Sequence, residues 1–312
     1  MRTEAMAVVG GAVLVVSSCN PPTAPMQYRP RGIQAVLVGA SDIATCTSPG
    51  TAATASVLDT IPGTVFTAGD NLADSSGTYQ RCFDPYWGRQ KDRMFATLGE
   101  RDYANGTADA AFDYFGTHAG PRGRGYYSFD LAGGSWHVVV LNTTGFVDIS
   151  AGSEQLRWLR DDLAAAARRN RSRSTPRDLS TSPVCTIAMF DRRRFFQGGW
   201  GKAESLKPLW TVLYQAGVEF VVNGHDHFYE RYAPQNPDGV RDPAKGIRQF
   251  IVGTGGRWLE QFTTPAPNVE VRNNKTWGVM KFTLAEGKYS WQFVPAAAGG
   301  GTFTDSGTGT CH

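Results

Sequence analysis

Five segments of this chain place a carboxylate or an imidazole directly after a short apolar run of β type. Residues 35–40 lead into Ser41-Asp42, residues 64–68 into Gly69-Asp70-Asn71, and residues 94–98 into Gly99-Glu100-Arg101-Asp102. Residues 185–190 lead into Asp191, and residues 218–223 into Gly224-His225-Asp226-His227. In open α/β sheets, ligands bind outside the carboxyl ends of the strands. Five such ends brought together therefore make one site rich in acidic and imidazole groups. Groups of this kind hold divalent metal ions or move protons.

Other elements must hold these strand ends side by side. Ser153 reads as the N-cap of a helix running to about Arg169, with Leu156, Leu159, Leu163 and Ala167 on one face. A second helix is expected over residues 207–216, stopped by Gly217. Residues 136–142 read as a central strand. The last third is strand-rich at residues 250–253, 278–284 and 289–294, and is expected to form a second sheet. The basic, serine-rich stretch 168–183 reads as a solvated loop.

With 41% hydrophobic residues in 312, the chain can bury the core of one large α/β domain or two small ones. A formal charge of +3 is too mild to argue for nucleic acid or a membrane surface. Near the start, Arg2 precedes an apolar run over residues 5–16, the length of a signal-peptide core and too short to span a bilayer. Val16-Ser17-Ser18-Cys19 then reads like a lipobox, with Cys19 as the lipidated residue; a plain secretory signal cleaved nearby, or, because Glu4 weakens the charged start, a cytosolic protein, are the other readings. The expectation is an exported protein, lipid-anchored at the cell surface or secreted. Residues 1–19 would be the leader, 20–31 a tether, and 32–312 a single domain. Without Cys19 the cysteines are Cys46, Cys82, Cys185 and Cys311. An even number in an exported chain suggests disulfides, with free buried thiols as the alternative. Of the pairings open, Cys46–Cys82 with Cys185–Cys311 is favoured.

At the strand ends the chain resembles the calcineurin-like metallophosphoesterases, and within them the exported actinobacterial proteins related to purple acid phosphatases. The segments that carry the resemblance are Asp42-Ile43-Ala44, Gly69-Asp70-Asn71, Tyr86-Trp87-Gly88-Arg89, Gly125-Tyr126-Tyr127-Ser128 and Gly224-His225-Asp226-His227 followed by Tyr229-Glu230-Arg231. Gly253-Thr254-Gly255-Gly256 and Phe303-Thr304-Asp305-Ser306-Gly307 complete the set. The resemblance implies a four-layer α/β sandwich of two mixed β-sheets flanked by helices. It also implies a two-metal site. Asp42, Asp70 and His227 would hold one ion, Asp70 would bridge, and His225 would hold the other. Asn71 and Tyr229 would stand behind or beside the ligands.

The departures from that family pattern fall on the chemistry. The tyrosine expected three residues after the bridging aspartate is Ala73, so an iron centre of the purple type is not expected. Gly-Asn-His-Asp/Glu becomes Gly99-Glu100-Arg101-Asp102. A strand that ends in a metal-binding histidine in the family ends here in Asp191, followed by Arg192-Arg193-Arg194, and a further histidine becomes Trp200. The second ion would then see Asp70, Glu100, Asp191 and His225, an oxygen-rich set that favours Mn²⁺, Mg²⁺ or Ca²⁺ over Zn²⁺ or iron. Arg101 can grip an oxyanion but cannot donate a proton at ordinary pH. With Glu100 and Asp191 it forms the candidate catalytic group, and Arg192, Arg194 and Trp200 are candidates for the pocket. Arg193 is expected to point to solvent, and Asp102, His118 and His137 to be structural. Alternatively, Arg101 or Arg192 takes the second ion's place against Glu100 and Asp191, leaving one metal or none.

The expected function is a metal-dependent phosphoesterase-like hydrolase with a remodelled site, acting on a small anionic substrate. The alternatives are an enzyme of the same fold working on a non-phosphate substrate such as a secondary metabolite, or a non-catalytic binding protein. No nucleic-acid partner is expected, membrane contact only through a lipid, and a monomer.

Overall fold

The computed structural model describes residues 33–74, 76–103, 106–173, 184–197 and 203–312. All of them belong to one compact unit, Gly32–His312. Cys19, the leader, the tether and Trp200 lie outside the described residues. Along the chain the strands are β1 (Ala35–Ala40), β2 (Thr64–Ala68), β3 (Met94–Thr97), β4 (Tyr127–Leu131), β5 (Trp136–Val140), β6 (Cys185–Phe190) and β7 (Phe220–Asn223). They continue as β8 (Tyr229–Tyr232), β9 (Arg248–Val252), β10 (Val269–Asn273), β11 (Gly278–Ala285), β12 (Lys288–Pro295) and β13 (Ser306–Thr310). The α-helices are α1 (Pro49–Leu58), α2 (Asp109–Phe115), α3 (Glu154–Arg173) and α4 (Lys207–Gln215).

The strands form two mixed sheets. One has the order β13-β12-β11-β1-β2-β3 and the other β10-β8-β9-β7-β6-β5-β4. β1, β2 and β3 are parallel neighbours in the first. β5, β6, β7 and β9 are parallel neighbours in the second. Antiparallel strands complete both sheets. Successive residues of a strand face opposite sides, and here both sides are buried. Leu37 of β1 and Ile187 of β6 point into the space between the sheets, with Phe66, Phe220, Phe250, Phe282 and Trp291. Their neighbours face outward: Val38 packs with Leu58 and Phe112 on one side, and Ala188 packs with Leu156, Leu159 and Trp210 on the other. The result is the expected sandwich, with α1 and α2 outside one sheet and α3 and α4 outside the other.

Some elements differ from the sequence reading. β5 is wholly buried but lies next to the edge strand β4, so it is not central. The C-terminal strands do not form a separate sheet: β9 joins the second sheet and β11–β13 join the first. On α3, Ser153 caps as expected, its Oγ accepting from Leu156 N at 3.2 Å. The buried stripe continues to Ala166 rather than Ala167, because the step after Leu163 is three residues. Helix α1 was not anticipated. Its residues are small and show no apolar periodicity, although Ser48 as N-cap and Pro49 at the first position were readable signals. Both favoured disulfides are present, Cys46–Cys82 and Cys185–Cys311, with Cα separations of 4.6 and 5.7 Å. Among the described residues no helix is long and apolar enough to cross a membrane.

Candidate metal centre

The carboxyl ends of β1, β2, β6 and β7 deliver Asp42, Asp70, Asp191, His225 and His227. Three of these residues leave their strands in the left-handed region: Asp42 at φ 56°, Asp70 at 47° and His225 at 74°. That conformation costs on the order of 1 kcal/mol for a non-glycine residue and clusters at functional sites. It turns each side chain back across the sheet end. Two glycines let the ends close on one another. A Cβ on Gly69 would strike the Asp191 carboxylate, and one on Gly99 would strike the amide and carboxylate of Asp70.

The side chains form two adjoining groups. Ligand atoms of Asp70, Asp191 and His225 lie within 4.8 Å of one another, with His225 Nδ1 3.4 Å from Asp191 Oδ2. His227 Nε2 stands 3.3 Å from Asp42 Oδ1. The backbone amide of His225 joins the groups by donating to Asp42 Oδ2 at 2.9 Å. Local donors hold one oxygen of each carboxylate: Ser41 Oγ on Asp42 Oδ2 at 2.9 Å, Arg101 N on Asp70 Oδ1 at 2.8 Å and Glu100 N on Asp191 Oδ2 at 3.3 Å. Asp42 Oδ1, Asp191 Oδ1, Asn71 Oδ1 and Nδ1 of both histidines remain buried without a hydrogen-bonding partner. Each such atom costs about 1–3 kcal/mol unless something else satisfies it.

Electrostatics point the same way. Burial pushes the Asp70 carboxyl well above the usual range, and the charges of Asp191, Asp42 and Asp102 push it further. Burial also raises Asp191, more than His225 lowers it. Asp42 falls below its ordinary value because His227, His225 and Ser41 outweigh its burial. Burial would lower His225, but Asp191 holds it above the usual histidine value. A buried set of carboxylates that resists ionisation is relieved by a cation. Orphaned oxygens, imidazole nitrogens and excess negative charge together fit one or two divalent ions.

Asp102 braces the floor. It accepts from Gly99 N and Asn71 Nδ2 at 2.8 Å, and from Tyr79 Oη at 2.6 Å. Asn71 also donates to Thr97 O at 2.8 Å, which fixes it behind Asp70.

No protein-family model matches the chain. Over 157 residues it is 29% identical to probable purple acid phosphatase 20 of Arabidopsis thaliana, a stretch that covers 49% of this chain and 34% of that protein. Over 175 residues it is 29% identical to purple acid phosphatase 22 of the same plant, covering 53% and 36%. The chain thus spans about a third of the length of the curated relatives it matches. A purple acid phosphatase from yellow lupin (Lupinus luteus) seeds superposes with a TM-score of 0.68 at 18% identity, covering 88% of this chain and 53% of that one. PhoD superposes with a TM-score of 0.59 at 13% identity, covering 90% of this chain and 70% of that one. The fold is that of the metallophosphoesterases.

Within this metallophosphoesterase fold, several side chains depart from the sequence expectation. The Glu100 carboxylate does not join Asp70, Asp191 and His225; it is half exposed and pairs with Arg192 at 2.8 Å. Glu100 and Arg101 touch the cluster through their backbone amides, and the Arg101 side chain is exposed. Arg193 does not reach for solvent: it pairs with Asp226 at 2.6 Å, both largely buried. Burial pushes the Asp226 carboxyl up to about 6, against the pull of Arg193 and His225. Arg194 is fully buried and donates to the carbonyls of Ala203 and Pro237, so it anchors loops and does not line the site. Tyr229 is also away from the pocket, donating to Asp305 at 2.7 Å and packing on Phe293 and Phe303 between the sheets.

Other residues at the site went unread in the sequence. The loop after β9 brings in Arg257, whose amide donates to Asp42 O at 2.8 Å, and Trp258, whose ring meets His227 edge-on at 5.7 Å. Glu260 lies 3.1 Å from His227 Nδ1. The signal available was the position of Arg257 directly after Gly253-Thr254-Gly255-Gly256. Beside His225 opens a cavity of about 440 Å³, lined by Arg192, Arg193, Val147, Ile149, Phe196 and Leu206 among others.

Proposed function

We propose that this chain is a metal-dependent phosphoesterase-type hydrolase with an altered two-metal site. The observation that carries the reading is the buried Asp70, Asp191 and His225 cluster joined to Asp42 and His227, with its unsatisfied oxygens and nitrogens turned inward. Asp42, Asp70 and His227 would hold one divalent ion, and Asp70, Asp191 and His225 another. Ions bound there supply a Lewis acid for a phosphoryl oxygen and lower the pKa of water. The relatives named purple acid phosphatase support the reaction class.

The altered residues define the rest. Three aspartates against two imidazoles, with Ala73 where a phenolate would stand, favour Mn²⁺, Mg²⁺ or Ca²⁺ over Zn²⁺ or iron. With Glu100 engaged by Arg192, the second ion gains one additional anion, Asp191, not two. Arg101 sits at the rim, where it can hold an oxyanion but cannot protonate a leaving group. Turnover should therefore favour esters with good leaving groups. The two disulfides favour an oxidising compartment and so export, with Cys19 as the candidate lipid anchor. The substrate is small and anionic, and the chain acts as a monomer.

The test is elemental analysis of protein incubated with Mn²⁺ and desalted, beside an Asp70→Asn sample, with hydrolysis of p-nitrophenyl phosphate followed in parallel. About one or two equivalents of metal, lost together with activity in the variant, are expected for such a centre. No bound ion after excess Mn²⁺, Mg²⁺, Ca²⁺ and Zn²⁺ would sink the reading. The Glu100–Arg192 pair favours a second reading, in which an arginine has taken over part of the cation's role and the pocket serves a non-phosphate substrate or binding alone.

A further inference from the structure

Arg257 is a buried arginine whose guanidinium has no hydrogen-bonding or ion-pair partner among the described residues. The residue is 5% exposed, and its Nε is enclosed without an acceptor. Asp42, Asp70 and Glu260 attract its charge from a distance and Arg101 opposes it, but a buried guanidinium with no hydrogen-bonded anion remains costly. The placement is tightly set. The backbone amide of Arg257 donates to Asp42 O at 2.8 Å. A Cβ on the preceding Gly256 would collide with the Ile43 carbonyl and Thr51, so the loop is pressed directly against the chain after β1. The guanidinium lies 4.2 Å from the centre of the Trp258 ring, a cation–π contact that holds it beside the site. Trp258 in turn meets His227. Arg257 is therefore tied to Asp42 by its backbone amide and neighbours His227 through Trp258, and its side chain hydrogen-bonds to neither.

We propose that Arg257 is a substrate-binding residue that grips the phosphoryl oxygens of the ester, with Trp258 as the platform that holds its fork in place. A planar guanidinium matches two oxygens of a phosphate in a way that a point charge does not. The inference rests on the phosphoesterase reading and assigns the phosphate end of the substrate to the side of the site made by the loop after β9. The cavity beside His225 is left for the organic part.

The experiment is calorimetric titration of inorganic phosphate into the Mn²⁺-loaded full chain and into Arg257→Met and Arg257→Lys, with the metal content of every sample measured. Arg257→Met should weaken phosphate binding on the order of 10- to 100-fold with metal content unchanged. Arg257→Lys should recover part of the loss. Equal affinity in wild type and Arg257→Met would overturn the inference alone. Loss of metal from Arg257→Met would also overturn it, because Arg257 would then act by holding the ligands. A metal-loaded wild type that binds no phosphate would sink the phosphoesterase reading and this inference together. If Arg257→Met does not fold, Arg257→Lys decides: affinity equal to wild type removes the fork and overturns the assignment.

Discussion

The fold contains two buried meetings of histidine and aspartate, and they are finished to different degrees. Where β4, β5 and α3 meet, His137 hydrogen-bonds through both ring nitrogens to the carboxylates of Asp130 and Asp162, each at 2.7 Å. Ser128 completes Asp162 at 2.9 Å. At the ends of β6 and β7, His225 and His227 face Asp191 and Asp42 at 3.4 and 3.3 Å, and neither Nδ1 makes an aligned hydrogen bond, although Glu260 stands 3.1 Å from that of His227. The residue types are the same. The closed cluster is a structural clamp, because nothing is left for a ligand to satisfy. The open one is the candidate site, because it keeps buried oxygens and a ring nitrogen that no side chain satisfies.

The comparison breaks most visibly at Asp70. Asp70→Asn should abolish stoichiometric metal and lower phosphoester turnover roughly 100-fold or more, while the far-UV spectrum is kept. If turnover and metal survive, the open cluster is no more functional than the closed one.

At the closed cluster the expected effect is on stability. His137→Ala removes one hydrogen bond from Asp162 and one from Asp130, which stays paired with Arg169, and should cost about 1 kcal/mol in urea unfolding, with metal content untouched. Loss of metal in that variant would mean that the two clusters are coupled.

The closed cluster also sets a pH dependence. Burial alone would lower the affinity of His137 for a proton, but the hydrogen bonds and charges of Asp130 and Asp162 outweigh it and hold the pKa above the usual value near 6.5. A histidine raised in the folded state contributes stability that is fully present below the unfolded pKa and is lost as pH rises through the folded pKa. The urea midpoint should therefore fall as pH climbs above about 6.5, and this component should vanish in His137→Ala. A wild-type profile identical to the variant's would show that the clamp holds no extra proton.

The smallest expected effect lies at the rim. Arg192 and Glu100 are each more than one third exposed, so Arg192→Ala should change stability by no more than about 1 kcal/mol. Its use is to sharpen the site description. If freeing Glu100 tightens Mn²⁺ binding, the carboxylate joins the ligands when released; unchanged binding keeps it outside.

Much of this architecture was readable in one dimension. The apolar runs became β1, β2, β3, β6 and β7, because alternation between two buried faces leaves no other arrangement for so many branched and aromatic residues. The carboxylates and imidazoles after β1, β2, β6 and β7 met, because parallel strands put their carboxyl ends on one edge of each sheet, while Glu100 after β3 turned out to Arg192. The arginine run was not readable in the same way. Arg192, Arg193 and Arg194 are adjacent, yet one pairs with Glu100, one with Asp226, and one with loop carbonyls. Past a strand end there is no fixed side-chain period, and each guanidinium goes to the partner that distant segments bring near.

The sequence by itself determined the strands other than β4, β8, β10 and β13, the helix cap at Ser153, and the acidic and imidazole residues at the strand ends, since these follow from interactions within a few residues. The tertiary structure decided which of those groups share a cavity: that Asp191 turns inward while Glu100 turns out to Arg192, and that Arg257 arrives beside Asp42. Those choices depend on charge pairing and desolvation between segments up to 215 residues apart, Asp42 and Arg257, and neither quantity exists until the two sheets have closed on each other.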